Sequence, residues 1–362
     1  MNYRQSYIEV DLSKVEYNIK QFIKHSNKHF FAVIKANAYG LGAIKISKIA
    51  AQAGASYLAV SSLDEAIELR NANITLPILV LGYVNKDYVN VAVENNITLT
   101  ATSLEFVKSI RNVKNLKIHL KINTGMNRLG LNGIEEVNEA MKYLKYADIE
   151  GIYTHYACSD EKNHELNQLQ YNRFKKIVTS IDYKFKYIHI SNTDGSIIFN
   201  DNLTNSIRVG LGMIGFSSYD LDLKPTIKLY SEVSNCHMIK KGESVSYGAE
   251  YIADNDHYVL TLPIGYADGW LRANEGRKVY INGEYGIIIG RICMDQLMVK
   301  VNKPYSIDSK VELFGDHINL IDVSKELNTI PYEVLTLLSD RLTKKYFYND
   351  KLIDIKTSRF EH

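Results

Sequence analysis

The strongest constraint on the fold of this chain is a series of eight short apolar segments in its first 216 residues. They lie at 29–35, 56–62, 77–83, 96–102, 116–125, 149–157, 187–193 and 206–216. The intervening segments have helical periodicity, as in residues 62–73, where Ser62 and Glu65 have the spacing of a capping box. Strands that alternate with helices are typical of a closed (β/α)8 barrel or of an open doubly wound sheet. The count of eight favours closure, so we predict an α/β fold with an N-terminal TIM-type barrel.

The pattern changes after Leu221. From Lys228 onward, short strand-like segments are separated by Gly, Asn and Asp turns, which is typical of a mostly β domain. Asn282-Gly283 stands between two such segments and predicts a tight hairpin. One late helix is expected near residues 331–340. We therefore predict two domains, 1–221 and 222–362, which is consistent with a length of 362 residues.

Composition excludes several functional classes. The chain has 43 Lys and Arg against 41 Asp and Glu, so no basic excess points to nucleic acid or to a membrane surface. No stretch approaches the ~18 uninterrupted apolar residues of a membrane span, and the first residues lack the apolar core of a signal peptide. Cys158, Cys236 and Cys293 are far apart with no CxxC pair, which favours a reducing cytoplasm and indicates no metal site.

The candidate functional residues lie where the predicted strands end, because those ends face the active-site mouth of a barrel. They are Lys35, residues 121–128, His155, Asn192-Thr193 and residues 208–211. Each alone has an ordinary structural explanation, such as an ion-paired lysine, a hydrogen-bonded core histidine or a glycine-relaxed turn.

Taken together, these residues suit one kind of ligand. A lysine removed from water has a lowered pKa and offers a neutral amine that condenses with an aldehyde. The backbone N–H groups of Gly210 and Leu211, with the hydroxyls of Tyr39 and Thr193, suit a phosphate. An aldehyde and a phosphate outline pyridoxal 5′-phosphate. A Schiff-base aldolase without a cofactor would use the same groups, so the residues alone leave both functions open.

The segment AVIKANAYGLG (32–42) resembles the pyridoxal-phosphate attachment motif of alanine racemases. Six further segments similar to that family follow in order, at 121–130, 151–161, 207–215, 245–251, 264–270 and 290–296. Seven ordered matches over both domains are specific, whereas any one of them would not be. The resemblance implies a barrel followed by a β-rich domain, and a homodimer in which the partner's second domain completes each active site.

The resemblance also implies the catalytic roles. Lys35 is expected to hold the cofactor covalently and then to act as the acid/base on one face of the substrate. Tyr247 of the partner subunit is expected on the opposite face, because racemisation removes a proton from one side and returns one on the other. Free tyrosine has a pKa of about 10, so Tyr247 needs a nearby cation, which His155 linked to Arg208 is expected to supply.

Further positions match cofactor and substrate contacts of the family. Arg208 is expected at the pyridine nitrogen and Arg128 at the 3-hydroxyl oxygen, while Lys121 matches a lysine that is often carbamylated and would orient Arg128. The substrate carboxylate is expected near Arg128 and near the partner's Met294 and the partner's Asp295, with the partner's Tyr266 lining the way in. An outer corridor is matched by Asp160, Arg272 and Arg291.

One position departs from the family pattern. Alanine racemases usually carry a tyrosine in a late S-Y-R stretch, whereas LLSDRLTKK (337–345) places Asp340 there. Aspartate is smaller and adds an acceptor near the substrate β-carbon, and a buried serine hydroxyl without a partner costs ~1–3 kcal/mol.

A polar residue at this position resembles the serine/alanine racemases of vancomycin-resistance operons. We therefore expect racemisation of both L-serine and L-alanine, which would supply D-amino acids for peptidoglycan precursors. The enzyme is expected in the cytoplasm, alone or as the cytoplasmic domain of a membrane-anchored protein. In the alternative, a strict alanine racemase, Asp340 would turn towards Arg341 or Lys344.

Two more distant functions are disfavoured by particular residues. A non-catalytic pyridoxal-phosphate homeostasis protein would lack the second domain. This chain has Tyr247 and the CMDQ segment (293–296) in that domain, and their presence argues against such a function. A barrel-fold decarboxylase would need an acidic residue at the pyridine nitrogen, where this chain offers Arg208.

Overall fold

The computed structural model describes residues 3–357. The chain forms two compact units. One consists of Lys14–Ala38 and Gly42–Lys224 and is called the barrel unit. The other consists of the residues up to Ser13, Tyr39–Leu41 and the chain from Pro225 onward, and is called the β-rich unit.

The barrel unit contains a closed barrel of eight strands in chain order, which confirms the predicted fold. The last strand pairs with the first in parallel, with Arg208 opposite Phe31. The strands are largely apolar because helices cover a parallel sheet from outside. They are His29–Val33, Tyr57–Val60, Ile78–Val80, Ile97–Ala101, Lys117–Lys121, Asp148–Tyr153, Tyr187–His189 and Ser206–Val209.

A first helix precedes the first barrel strand, and the helices after it connect successive strands, where the sequence pattern predicts helical segments. They are Leu12–Ser26, Ala43–Ala53, Leu63–Asn71, Val89–Glu94, Leu104–Ser109, Gly133–Tyr143, Glu165–Thr179 and Thr193–Ile198, with 3-10 turns at Lys86–Tyr88 and Leu211–Ile214.

Aromatic side chains fill the amino-terminal end of the barrel. The Phe31 ring stacks on Tyr57 with centroids 4.7 Å apart and meets the edge of Tyr187 at 5.2 Å. All three side chains are buried. Because this end is filled, the carboxyl ends of the strands are the part of the barrel that can present functional groups.

The β-rich unit is built on a ten-stranded sheet. In sheet order its strands are Asn235–Ile239, His257–Leu262, Leu297–Val301, Glu284–Ile289, Lys278–Ile281, Lys310–Phe314, Ile227–Glu232, Tyr7–Asp11, Thr343–Tyr348 and Lys351–Lys356. A two-stranded sheet joins Ser244–Val245 to Tyr251–Ile252, and the helices are Leu320–Glu326 and Pro331–Leu337. Short 3-10 turns occur at Tyr247–Ala249, Tyr266–Asp268 and Arg272–Asn274.

The N-terminal strand differs from the sequence prediction, which placed residues 1–221 together. Tyr7–Asp11 instead lies inside the ten-stranded sheet, antiparallel to Ile227–Glu232 and parallel to Thr343–Tyr348. A single short strand carries no pattern that identifies its partners, and here both partners lie more than 200 residues away in the chain. The sheet therefore takes its N-terminal strand from outside the segment that the sequence assigned to it.

The predicted hairpin is present. Asn282 and Gly283 have φ values of 45° and 90°, the positive values that a type I′ turn needs, and Ile281 pairs with Glu284. The predicted late helix is shorter than 331–340 because it ends at Leu337. Within residues 3–357, no helix is both long and apolar enough to cross a bilayer.

Candidate active site

Lys35 stands at the carboxyl end of the first barrel strand and opens an unusual turn. The four residues that follow it, Ala36 to Tyr39, have φ values between 51° and 57°. A left-handed conformation costs roughly 1–2 kcal/mol for each L-residue with a side chain. Contacts with the rest of the fold must therefore hold this turn in place.

The side chain of Lys35 is exposed, whereas the sequence predicted a buried ammonium. The residues directly before it, Phe30 to Ile34, are buried. The pKa of Lys35 is nevertheless lowered, first because surrounding protein atoms displace part of its hydration and then because Arg128 repels its positive charge. Glu65 opposes the shift. The amine is thus more often neutral than that of an ordinary lysine.

Lys121, at the carboxyl end of the fifth barrel strand, is the more strongly perturbed lysine. Its side chain is buried, with the residue 7% exposed, and Nζ donates to the Ile122 carbonyl at 3.1 Å. Burial, assisted by the charges of Arg208 and Arg128, lowers its pKa to about 7. A substantial fraction of Lys121 is therefore the neutral, nucleophilic amine at neutral pH.

Arg208 is held rigidly at the end of the last barrel strand. It is 4% exposed and donates to Nδ1 of His189 at 2.5 Å, to Nδ1 of His155 at 3.0 Å and to the carbonyls of Thr154 and Ile190 at 2.8 and 2.9 Å. Burial lowers its pKa to about 10, so the guanidinium remains a cation at neutral pH. The result is a fixed positive charge at the mouth of the barrel.

The histidines beside Arg208 are neutral. Burial first, and then the charge of Arg208, lowers the pKa of His155 well below its ordinary value. Because Nδ1 of His155 accepts from Arg208, its proton is on Nε2. The positive charge of this pair thus resides on Arg208, which corrects the expectation that His155 itself supplies a cation.

His189 and then His119 continue the chain of hydrogen bonds into the barrel. His189 accepts from Arg208 through Nδ1, so its Nε2 donates to Nδ1 of His119, 2.9 Å away. Both rings are buried, and burial lowers the pKa of His119 to about 3. The sequence analysis missed these residues. Their signal was a polar residue in the middle of an apolar strand, in LKIHLK (116–121) and YIHIS (187–191).

Two members of the predicted phosphate cradle, Thr193 and Gly210, are in contact. The Thr193 hydroxyl oxygen accepts the N–H groups of Gly210 and Gly212, both at 3.3 Å, which leaves its own proton to donate to a ligand. A Cβ at Gly212 would lie 2.4 Å from the Phe22 ring, so this approach requires glycine. Leu211 is buried between the two glycines.

Arg128 and Asp160 also lie in the barrel unit, whereas the candidates from Tyr247 onward belong to the β-rich unit. Tyr247 is 68% exposed and Met294 is 54% exposed, which is high for large apolar side chains. Tyr266 is held beside Met294, because the N–H of Ala267 donates to the Met294 carbonyl at 3.0 Å. The guanidinium of Arg272 lies 5.9 Å from the centre of the Tyr266 ring, and Arg291 pairs with Glu250. Tyr39 also belongs to this unit, where its ring meets the edge of Tyr332 at 5.5 Å.

Asp295 is held by a network that the sequence did not reveal. Nη2 of Arg341 donates to the Asp295 carboxylate at 2.7 Å, and Nε of Arg341 lies 3.6 Å from Asp268. Asp268 is fully buried and also accepts from Arg4 at 2.5 Å and from the Gly265 N–H at 3.0 Å. This arrangement fixes the orientation of the segment that contains Met294 and Asp295.

Asp340 forms an ion pair with Lys344. The Lys344 ammonium donates to the Asp340 carboxylate at 2.8 Å, and Lys344 is itself buried, so its charge needs this partner. From the sequence, Asp340 was expected either to accept a hydrogen bond from a serine substrate or to turn towards Arg341 or Lys344 and leave substrate choice unchanged. The contact with Lys344 corresponds to the second orientation.

The barrel residues fit pyridoxal 5′-phosphate, the cofactor that the resemblance implies. Lys35 offers an amine with a lowered pKa, Thr193 offers a hydroxyl proton beside a glycine-lined turn, and Arg208 offers a fixed cation. An aldehyde, a phosphate and a ring nitrogen are the groups that this donor set suits.

Comparison with known proteins supports the same conclusion. The family model "Alanine racemase, N-terminal domain" matches residues 10–218, and "Alanine racemase, C-terminal domain" matches residues 226–346. Alanine racemase 1 of Bacillus subtilis is 39% identical over 373 residues, covering 98% of this chain and 96% of that protein. The crystal structure of alanine racemase from Bacillus anthracis with bound L-Ala-P has a TM-score of 0.94 at 33% identity, covering 99% of this chain and 98% of that one. Histidine racemase from Leuconostoc mesenteroides subsp. sake has a TM-score of 0.89 at 28% identity, covering 96% and 99%.

Proposed function

This chain belongs to the alanine racemase family, whose cofactor is pyridoxal 5′-phosphate, and we propose that it interconverts L- and D-alanine. The observation that carries the proposal is the grouping of Lys35, Thr193 and Arg208 at the mouth of the barrel, each with the hydrogen bonds or pKa that its role requires. In this proposal Lys35 binds the aldehyde carbon, and Thr193 with the Gly210–Leu211 turn binds the phosphate. Arg208 faces the ring nitrogen and Arg128 the ring hydroxyl.

The reaction needs one proton to leave the substrate Cα and one to arrive on the opposite face. The bound cofactor supplies the electron-withdrawing group that makes this Cα–H acidic. We assign the two faces to Nζ of Lys35, which the substrate amine would first displace from the aldehyde carbon, and to the phenol of Tyr247, so that either residue removes the proton while the other delivers one. Atoms and charge balance without any oxidant or second substrate.

Tyr247 is proposed to act in the active site of a second copy of the chain. Its high exposure on the β-rich unit supports this assignment, since a phenol used only within its own subunit would be covered there. The homodimer thus has two shared sites, each with Lys35 of one subunit and Tyr247 of the other.

Mixing two inactive variants tests this arrangement. Lys35→Ala and Tyr247→Phe each lack one of the two groups and should be inactive as pure proteins. After denaturation and refolding together, each mixed dimer has one intact site, so the mixture should recover about a quarter of wild-type racemisation. Failure of the mixture to recover activity, with dimers shown to have exchanged, would place both residues in one subunit.

We propose alanine rather than serine as the principal substrate. The pairing of Asp340 with Lys344 supports this, because a carboxylate engaged by a buried ammonium is a poorer acceptor for a substrate hydroxyl. The similar proteins from Bacillus subtilis and Bacillus anthracis are both alanine racemases, which supports the same choice. The histidine racemase shows that this fold serves other amino acids, so substrate choice must be measured on this chain.

Kinetics with L-alanine and L-serine on wild type, Asp340→Tyr and Asp340→Asn provide that measurement. We expect alanine to be preferred and the serine-to-alanine ratio of kcat/KM to change less than about threefold in either variant. A wild type that turns over serine as well as alanine, and loses serine turnover in Asp340→Tyr, would restore the serine/alanine racemase of the sequence analysis and with it the expected link to vancomycin resistance. D-Alanine for peptidoglycan precursors is the product role that we propose, in the cytoplasm, where the free thiols of the chain persist.

A further inference from the structure

Glu65 makes contacts that its place in a capping box does not explain. The Ser62 hydroxyl accepts the N–H of Glu65 at 3.4 Å, as the sequence predicts. The Glu65 carboxylate, however, does not return to Ser62. One of its oxygens accepts the N–H and the hydroxyl of Ser61, at 2.7 and 2.8 Å.

The other carboxylate oxygen reaches a different strand. It accepts the N–H of Ala36 at 2.6 Å, and Ala36 is the residue directly after Lys35. One carboxylate therefore joins the end of the first barrel strand to the end of the second. Ser61 is itself packed closely, since a Cβ at Gly82 would lie 2.3 Å from the Ser61 carbonyl oxygen.

The hydrogen bond from the Ala36 N–H to Glu65 lies at the start of the left-handed turn. Ala36 begins the left-handed turn, and alanine gains nothing from that conformation. Within the turn, the Ala38 N–H donates to the Ile34 carbonyl at 2.8 Å. The hydrogen bond from Ala36 to a carboxylate is charge-assisted and is the stronger kind.

The same carboxylate is one of the two charges that act on the Lys35 amine. Arg128 favours the neutral amine, and Glu65 favours the ammonium. Lys35 thus experiences opposing charges from two different barrel loops, while Glu65 also fixes the backbone from which the Lys35 side chain projects.

We propose that Glu65 is a positioning residue for Lys35: its carboxylate clamps the left-handed turn through the Ala36 N–H and holds a negative charge beside the Lys35 amine. The inference rests on the proposed function only in that Lys35 is taken as the cofactor-binding and acid/base residue. Glu65 acts through Lys35 and has no contact with substrate in this scheme.

Two variants separate the clamp from the charge. Glu65→Gln keeps the length but loses the charge, and its single acceptor oxygen cannot serve both N–H groups. Glu65→Asp keeps the charge but is one methylene shorter, so it cannot span Ser61 and Ala36. Glu68→Gln is the matched control, because Glu68 is exposed and lies three residues further along the same helix.

The measurements use the full chain after removal of the cofactor. Amide hydrogen exchange in peptides covering residues 34–40 should become about tenfold faster in both Glu65 variants, because each loses a charge-assisted hydrogen bond. The pH dependence of Lys35 acetylation, followed by mass spectrometry, should show a lower Lys35 pKa in Glu65→Gln and a nearly unchanged one in Glu65→Asp. Glu68→Gln should match wild type in both measurements.

In the cofactor-loaded enzyme, the fold-decrease in kcat for alanine should exceed the fold-increase in KM in both Glu65 variants, since substrate contacts are unchanged. The proposal is overturned if exchange near Ala36 and Lys35 titration in Glu65→Gln equal those of Glu68→Gln. Hydrogen exchange and Lys35 titration need neither cofactor nor substrate. Their outcome is therefore independent of the mixed-dimer test of the proposed function.

Discussion

Lys121 is expected to carry a carbamate, and the size of its pKa shift shows how strongly its environment favours the neutral amine that forms one. Its pKa is lowered from 10.5 to about 7, a difference that corresponds to about 5 kcal/mol of disfavour towards the buried ammonium. At pH 7.5 roughly three-quarters of Lys121 would be the neutral amine, against about one part in a thousand for an exposed lysine. Only the neutral amine attacks carbon dioxide, forming an N–C bond and releasing one proton. The reactive fraction of Lys121 is therefore nearly three orders of magnitude larger than that of an exposed lysine.

The product is also favoured electrostatically. Arg208 and Arg128 both act on the Lys121 amine as positive charges, and they lower its pKa because they repel the ammonium. A carbamate places a negative charge at the same location and turns that repulsion into attraction. We expect it to orient Arg128, the role that the resemblance assigns to this lysine.

Carbon-13 NMR of the native protein equilibrated with labelled bicarbonate at pH 7.5 measures this directly. Wild type should show one carbamate resonance, which weakens as the pH falls below about 7 because the amine becomes protonated. Lys121→Met should lack the resonance. Lys117→Met should retain it, because Lys117 lies at the opposite end of the same strand, is partly exposed and has its ammonium 3.9 Å from the Glu150 carboxylate. A wild type without the signal, or a signal that survives in Lys121→Met, would refute the reasoning.

Four further predictions follow from contacts within the two units. Thr193→Val should weaken cofactor binding about tenfold, the value of one hydrogen bond of ~1.4 kcal/mol, measured by titration of the cofactor-free chain, and an unchanged dissociation constant would contradict the phosphate cradle. Arg208→Met should lower the free energy of unfolding by ~3–5 kcal/mol in urea melts, because buried acceptors lose their donors, whereas a loss below 1 kcal/mol would contradict it. Burial raises the pKa of Asp268, so the folded chain keeps a proton that the unfolded chain has lost, and stability should fall as the pH rises from the ordinary value of about 4 towards the raised one. Arg341→Met should steepen that fall and raise KM for alanine, and a pH profile of stability equal to that of wild type would exclude the Arg341–Asp268 pairing.

Much of the fold follows from local patterns in the sequence. The eight barrel strands were found from apolar segments alone, because a strand in a parallel sheet is covered on both faces and has few polar residues. The hairpin at Asn282-Gly283 was found because positive φ values limit the choice of residues at a turn. The alternation of strands and helices also fits an open sheet, and the count of eight strands was what favoured barrel closure.

The candidate site was only partly accessible in this way. Lys35 and Thr193 could be chosen because they follow strands, and strand ends are recognisable. The contacts of Glu65 could not, since its capping-box spacing predicted a bond to Ser62 and its carboxylate instead accepts from an N–H group 29 residues away. The exposure of Lys35 was predicted wrongly, because an apolar segment gives no indication of where burial stops.

The sequence by itself determined which segments become strands, where tight turns lie and which residue types stand at the strand ends, because these depend on neighbours along the chain. Only the tertiary structure decided the pKa shifts and the hydrogen-bond partners: the lowered pKa values of His155 and Lys121 and the pairing of Arg341 with Asp295. The physical reason is that hydration and Coulomb interactions depend on distance in space. Barrel closure brings Lys121 and Arg208 within electrostatic range of each other across 87 residues of chain, and no local pattern encodes that proximity.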